Sequence, residues 1–327
     1  KNNAINKGGK VMKSNKKILM GTVAVGLVAA LAIGGTWAYL TDETERRANN
    51  FTFASDSIDA RLTEPKWDGV VDYEYNDDGT ITPIYDWTDN DSNPDTPDVP
   101  VYGYTDGDKS KPITDKSALE EGKDYRPRKD SNDDTYHPTY GDEQSVNMIP
   151  GAEASKNPII TNTGIVDEWI AAKVTFVHAA GSTDAGKPLD AAEMGNVVDA
   201  LDIDWKVGTG DDWERIGGTE SDISQTFYYK KIVAKDSDVT DKGKYGEATS
   251  PIFTKVSVKN TATNQQVKAL EDMGGFAIWI EGFAVQSDVS AEYEGFKTWA
   301  GTGVVFNNTP TNEKPAEVSK PGIIPAQ

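Results

Sequence analysis

The sequence predicts a mostly β protein: a jelly-roll-like antiparallel β-sandwich with two or three short helices and a large acidic insertion. Three observations carry that reading. Apolar residues recur at every second position through several runs, helical spacing is confined to three short stretches, and the segment Glu64 to Glu143 holds 22 Asp/Glu against 8 Lys/Arg with few aliphatic side chains.

The chain opens on a separate device. Met12-Lys13-Ser14-Asn15-Lys16-Lys17 is a basic n-region, Ile18 to Ile33 an apolar run, and Gly34-Gly35-Thr36-Trp37-Ala38 a small-residue ending. These are the three parts of a secretory signal peptide, with Thr36 and Ala38 at the recognition positions and Tyr39 as the new N-terminus. All six charges before residue 39 are lysines, so the rest of the chain carries 27 basic and 53 acidic residues. With Met12 as initiator, residues 1–11 are an upstream addition and residues 1–38 are lost on export. The competing reading is a retained membrane anchor, because Ile18 to Thr41 is uncharged and of spanning length. Gly and Thr residues dilute that run and favour cleavage.

After residue 50 the period-two patterns begin. Phe51 and Phe53, then Ile58, Ala60 and Leu62, fall on alternate positions and predict the first strand or strands of the sandwich within 51–63. Residues 64–146 form the acidic, loop-rich insertion. Its clearest local signal is Asn76-Asp77-Asp78-Gly79 between Val71–Tyr75 and Thr80–Tyr85, an Asp-Gly turn between alternating runs and therefore a β-hairpin. The rest of the insertion is either an ordered loop-rich subdomain or flexible.

The remainder of the sandwich is expected over 147–306. Ile170, Ala172, Val174 and Phe176 share one strand face, as do Ile252, Thr254, Val256 and Val258, and Phe227 to Val233 is rich in strand-forming residues. Phe276 to Val285 is apolar on both faces and predicts a central, doubly covered strand. Helical spacing appears in Pro188–Leu201, Gln265–Met273 and Val289–Ala300. Thr309-Pro310, Lys314-Pro315, Lys320-Pro321 and Ile324-Pro325 mark 307–327 as an extended, disordered tail.

Composition narrows the chemistry. With no Cys among 327 residues there is no disulfide, thiolate metal site or cysteine nucleophile. A pI near 4.5 argues against nucleic acid as partner, since phosphate binding is driven by clustered Lys and Arg. The two histidines, His137 and His178, are 41 positions apart and form no H-E-x-x-H pair, and both read as surface residues. No G-x-S-x-G elbow or phosphate loop is present, so no catalytic residue is assigned. No cofactor is required. Calcium is the one ligand suggested, because Asp89, Asp91, Asn93 and Asp95 alternate like the first donors of a calcium loop. Pro94 and Pro100 stand where an EF-hand needs Gly and Glu, so the site would be non-standard, and a solvated charge run is the alternative.

The residues at the front resemble a known family. Lys16-Lys17-Ile18-Leu19, the Gly/Ala/Val run, Gly34 to Asp42 and then Asn50-Phe51-Thr52-Phe53-Ala54-Ser55-Asp56-Ser57-Ile58-Asp59-Ala60 closely resemble the start of the TasA/camelysin family of Gram-positive secreted matrix proteins, with Asp56 in place of the usual glycine. Met148-Ile149-Pro150-Gly151, Asn162-Thr163-Gly164 and Phe283-Ala284-Val285-Gln286 look like later segments of that family. The resemblance brackets most of 16–60 and 147–300 and leaves the insertion unexplained. It implies a dedicated signal peptidase acting after Ala38 and a jelly-roll subunit of extracellular biofilm fibres. It also implies that the freed segment 39–50 is a donor strand for the next copy, beginning Tyr39, Leu40, Thr41, Asp42, Glu43, Thr44, Glu45. The partners are then other copies of the chain and, during export, the peptidase, with no membrane contact after cleavage. Alternatives are a camelysin-like secreted metalloprotease, which the lack of a zinc pair opposes, and a monomeric adhesin or carbohydrate-binding module. For the last, Trp67 and Trp87 are the expected exposed stacking surfaces.

Overall fold

The computed structural model describes residues 58–76, 81–88, 99–133, 135–180, 182–236 and 246–302, which all belong to one compact unit. The candidate signal peptide, the segment 39–50, Phe51 and Phe53, residues 77–80 of the expected Asp-Gly turn, the candidate calcium residues Asp89, Asp91, Asn93 and Asp95, and the Pro-rich tail lie outside the described residues.

Strand β1 (Ala60–Thr63) opens the fold. The insertion follows with helix α1 (Pro65–Asp68), the pairs β2 (Asp72–Tyr75) with β3 (Ile81–Ile84), β4 (Asp86–Thr88) with β5 (Val99–Val101) and β6 (Gly103–Tyr104) with β7 (Pro112–Ile113), and helix α2 (Gly141–Gln144). Next come β8 (Glu153–Ser155), β9 (Ile159–Asn162), β10 (Glu168–His178), α3 (Ala191–Ala200), β11 (Leu201–Trp205), β12 (Trp213–Arg215) and β13 (Ser224–Tyr229). The described chain closes with β14 (Phe253–Val258), α4 (Asn264–Asp272), β15 (Phe276–Gln286) and α5 (Tyr293–Ala300).

The strands form a mostly β, antiparallel sandwich. One sheet runs β12-β13-β10-β15, a second runs β11-β14-β8, and β1 pairs with β9. Among the described residues these are a four-stranded sheet, a three-stranded sheet and a pair, rather than the two four-stranded sheets of a jelly roll. The spine is β10 against β15, antiparallel over eleven rungs from Glu168↔Gln286 to His178↔Phe276.

Alternation in the sequence explains which side of that spine faces the core. Ile170, Ala172, Val174 and Phe176 of β10, with Ile278 and Ile280 of β15 and Phe227 of β13, are buried on one face. Opposite them pack Phe253, Val256 and Val258 of β14 and Met194 and Val197 of α3. Each of these side chains larger than alanine contributes roughly 1.5–3 kcal/mol when removed from water, so this layer dominates the fold's stability. Helix α3 is set in place by a capping box, Asp190 accepting from the Ala192 and Glu193 amides while Glu193 accepts from the Asp190 amide.

The outer face of the spine is covered by α5. Phe296 is fully buried and stacks on Trp169 at 5.1 Å and 3°, with Tyr228, Phe283 and Val285 around it. Among the described residues this departs from the expectation that Phe276 to Val285 is a central strand. The strand is covered on both faces near its C-terminal end, but a helix supplies the second cover, and among the described residues β15 is paired only with β10. Apolarity on two faces reports layers above and below a strand and says nothing about its lateral neighbours.

Candidate functional site

Two places concentrate what the fold could do: the side of β15 away from β10, which among the described residues pairs with no other strand, and the junction where the insertion leaves and rejoins the sandwich.

β15 is the longest edge strand described, eleven residues against three in β12, five in β11 and three in β8. Its inner face is anchored by Ile278 and Ile280, and Gly282 leaves room for Ile160 of β9, whose Cδ1 lies 3.4 Å from where a Cβ at 282 would sit. A long edge offers a row of backbone donors and acceptors that another strand can satisfy.

The junction is built from both sides of the insertion. Glu64 follows β1 directly and heads α1, Pro65 fitting the first helical position because it has no N–H to lose. The single turn ends at Gly69, whose φ of 79° is left-handed, and Trp67 between them is buried. This corrects the expectation of an exposed Trp67, while Trp87 is half-buried. From the far end comes Lys156, on the link between β8 and β9. Its side chain is 0% exposed and that of Glu64 is 2%; the Lys156 Nζ donates to Glu64 Oε2 and lies 4.7 Å from the Trp67 ring centroid. The Lys66 amide donates to Asn157 Oδ1 at 2.6 Å, a second tie between the same two segments.

Above this pair sits an arginine-centred network. Arg126, 4% exposed, donates through Nη1 to both carboxylate oxygens of Asp142 at 2.9 Å, and also to Asp124 and Glu143. Arg128 donates to Glu143 Oε1 at 2.6 Å and to Asp124 Oδ2 at 2.8 Å. Both guanidinium groups lie over the Tyr140 ring, at 4.8 and 5.1 Å, and the Tyr140 hydroxyl donates to the Pro127 carbonyl at 2.9 Å. Burial pushes the Asp124 and Glu143 carboxyls up, yet the hydrogen bonds and charges of Arg126 and Arg128 outweigh it and hold both below the usual range. At Asp142 burial wins against Arg126 and the carboxyl sits above that range. The insertion thus has its own framework, with a small apolar core of Val70, Tyr85, Val101 and Tyr104. It is an ordered loop-rich subdomain over its described part.

The Asn162-Thr163-Gly164 segment has a structural role. Asn162 is fully buried; its Nδ2 donates to the carbonyls of Val166 at 2.8 Å and Val233 at 2.9 Å, and its Oδ1 accepts from the Gly164 amide at 2.8 Å. That locks the entry into β10. Glu168, the first residue of β10, accepts from the Asp59 amide at 3.1 Å and so ties the chain before β1 to the spine. Met148-Ile149-Pro150-Gly151 forms an exposed turn, with Ile149 67% accessible.

Among the described residues no group of three or more His, Asp or Glu is arranged to hold a metal, and no helix is long and apolar enough to cross a membrane. His178 ends β10 with its Nε2 3.3 Å from Glu193. The sequence reading missed Lys156, Glu64 and Arg126. Two arginines flanking Pro127 in so acidic a segment were the available signal for an internal charge framework; a lone lysine in Ser155-Lys156-Asn157 gave none.

Comparison with protein-family models, curated proteins and solved structures found no match to this chain.

Proposed function

We propose that this chain is a secreted structural subunit of an extracellular matrix fibre, assembling head to tail when segment 39–50 of one copy adds to a sheet edge of the next. The observation that supports this reading is the eleven-residue length of β15, whose side away from β10 is paired with no other described strand and whose inner face is backed by the core. Strand addition needs such an edge, held straight and prepared, because main-chain hydrogen bonds then supply affinity without further ordering of the acceptor. The signal-peptide pattern and the resemblance of the front segment to TasA/camelysin proteins supply the compartment and the donor. Each copy offers one strand and accepts one, and a heterologous contact of that kind propagates as a filament.

The test is negative-stain imaging and sedimentation of the mature chain beginning at Tyr39, beside a chain lacking residues 39–50. Regular filaments from the first and folded monomers from the second are expected. Normal filaments from the truncated chain would sink strand donation, and monomers from both would sink the fibre reading.

A further inference from the structure

We propose that Glu64 and Lys156 become joined by an amide bond, a covalent clasp across the base of the insertion. Strand assembly is not needed for this step, and the inference stands or falls apart from the fibre reading.

The geometry places a nucleophile against the carboxyl group whose carbon it would attack. The Lys156 Nζ meets Glu64 Oε2, both side chains are excluded from solvent, and the Trp67 ring covers the nitrogen at 4.7 Å. Two charged groups this deeply buried are costly to keep ionised, and passing the shared proton from ammonium to carboxylate leaves a neutral amine beside a neutral acid. In water the ionised pair is the stable state and condensation does not proceed; a dry pocket removes that preference. Fixing the two groups in one geometry also removes the entropy of bringing them together.

The reaction balances without any co-reactant. The lone pair on Nζ adds to Cδ of Glu64, forming the new C–N bond while the carbonyl π pair moves onto oxygen. Collapse of that intermediate breaks one C–O bond; the departing hydroxyl takes a proton from Nζ and leaves as water. No oxidation state changes. The product replaces two buried charges with one neutral amide.

The position gives the clasp a use. Glu64 stands at the end of β1 and Lys156 three residues before its partner β9, so the bond would close a loop containing the entire insertion. A pull entering the fold at its N-terminal end would pass from β1 to β9 without stretching the segment between them. In a chain with no cysteine, no disulfide can do this.

Peptide mapping of the full secreted chain after complete tryptic digestion decides the matter. An intact mass one water below the sequence value is expected, together with a branched peptide in which residues 62–66 are joined to residues 130–173, trypsin being unable to cut after an acylated Lys156. In Lys156→Met both signals should vanish, and on denaturing gels the variant should migrate more slowly than the looped parent. If Lys156→Met fails to fold, the map of the unaltered protein still decides. Quantitative recovery of separate peptides 62–66 and 130–156 from folded protein overturns the proposal. So does a one-water deficit that maps to Asp78-Gly79, where a cyclic imide would have the same mass.

Discussion

Gly141 faces the backbone of Ser155 so closely that a Cβ on it would lie 1.7 Å from the Ser155 carbonyl oxygen and 2.7 Å from Cε3 of Trp67. The contact is backbone against backbone, with no flexible side chain to yield. Here α2 is pressed onto β8, and the Ser155 amide donates to Gln144 Oε1 at 2.7 Å beside it.

Gly141→Ala should therefore force α2 off β8. Overpacking of this kind costs on the order of 1–3 kcal/mol, and here the upper end is expected because neither neighbour can move alone. Urea unfolding followed by tryptophan fluorescence should show a lower midpoint, whereas Gly195→Ala, inside α3 with nothing within 4 Å, should hold or slightly raise it through helix propensity. An unchanged midpoint for Gly141→Ala would contradict the packing described.

The arginine network makes the insertion acid-sensitive. Asp124 and Glu143 are held below the usual carboxylate range by Arg126 and Arg128 despite burial, and Glu74 by hydrogen bonds from Lys116 and Tyr102. Carboxyls whose folded pKa is depressed give stability that is fully present above their unfolded value, about pH 4, and is lost as pH falls through the folded value. Asp142 runs the other way, its pKa raised by burial, and it takes up its proton first. Protease cleavage within 99–133 should stay slow from pH 8 to 5 and rise below pH 4, while the sandwich remains intact. Cleavage independent of pH down to 3 would show that the ion pairs do not hold the insertion.

Asn162 is a donor to two carbonyls, so charge and hydrogen-bond capacity can be separated there. Asn162→Asp keeps the shape but sets a carboxylate against the Val166 and Val233 carbonyls, and should destabilise more than Asn162→Ala. Loss of a buried partner costs about 1–3 kcal/mol per unsatisfied group, so even the alanine variant should lower the unfolding midpoint clearly. Equal stabilities of the aspartate and alanine variants would mean that the amide is not acting as donor.

Assembly should depend on backbone pairing rather than on charge. A variant with Glu43, Glu45, Arg46 and Arg47 all changed to Thr should still form filaments, whereas Thr41→Pro with Glu43→Pro should not, because proline removes the N–H groups an added ladder needs. Electron microscopy and pelleting distinguish them. Filaments from the proline variant, or none from the threonine variant, would rule out strand donation by this segment.

Much of the sandwich was legible because its signals are local. In β10 the alternation of Ile170, Ala172, Val174 and Phe176 sets the buried face by itself, and the helical spacing of Met194 and Val197 does the same for α3, with Leu189 and Leu201 just beyond its two ends. The β2–β3 hairpin was legible from its Asp-Gly turn. What escaped depends on contacts between distant parts of the chain. Trp67 lies in a polar stretch whose composition points to solvent; it is buried because Gly141 and Lys156 arrive from far along the sequence. Lys156 carries no local sign of burial either, since its only unusual property is the company of Glu64. Among the described residues β15 lies at a sheet edge for a related reason: the second apolar face looked like a demand for strands, and α5 answered it.

The insertion enters the sandwich beside Glu64 and leaves it beside Lys156, and these two residues touch. Its two ends are therefore a single socket, and what lies between α1 and α2 is a cassette. Exchanging that cassette for one of different length changes the closure entropy only slowly, as the logarithm of the loop length. A short peptide joining Glu64 to the α2 segment would leave β1 and β9 in register and the sandwich core untouched. The same socket would carry a foreign domain in place of the cassette, held at both ends by one point of attachment.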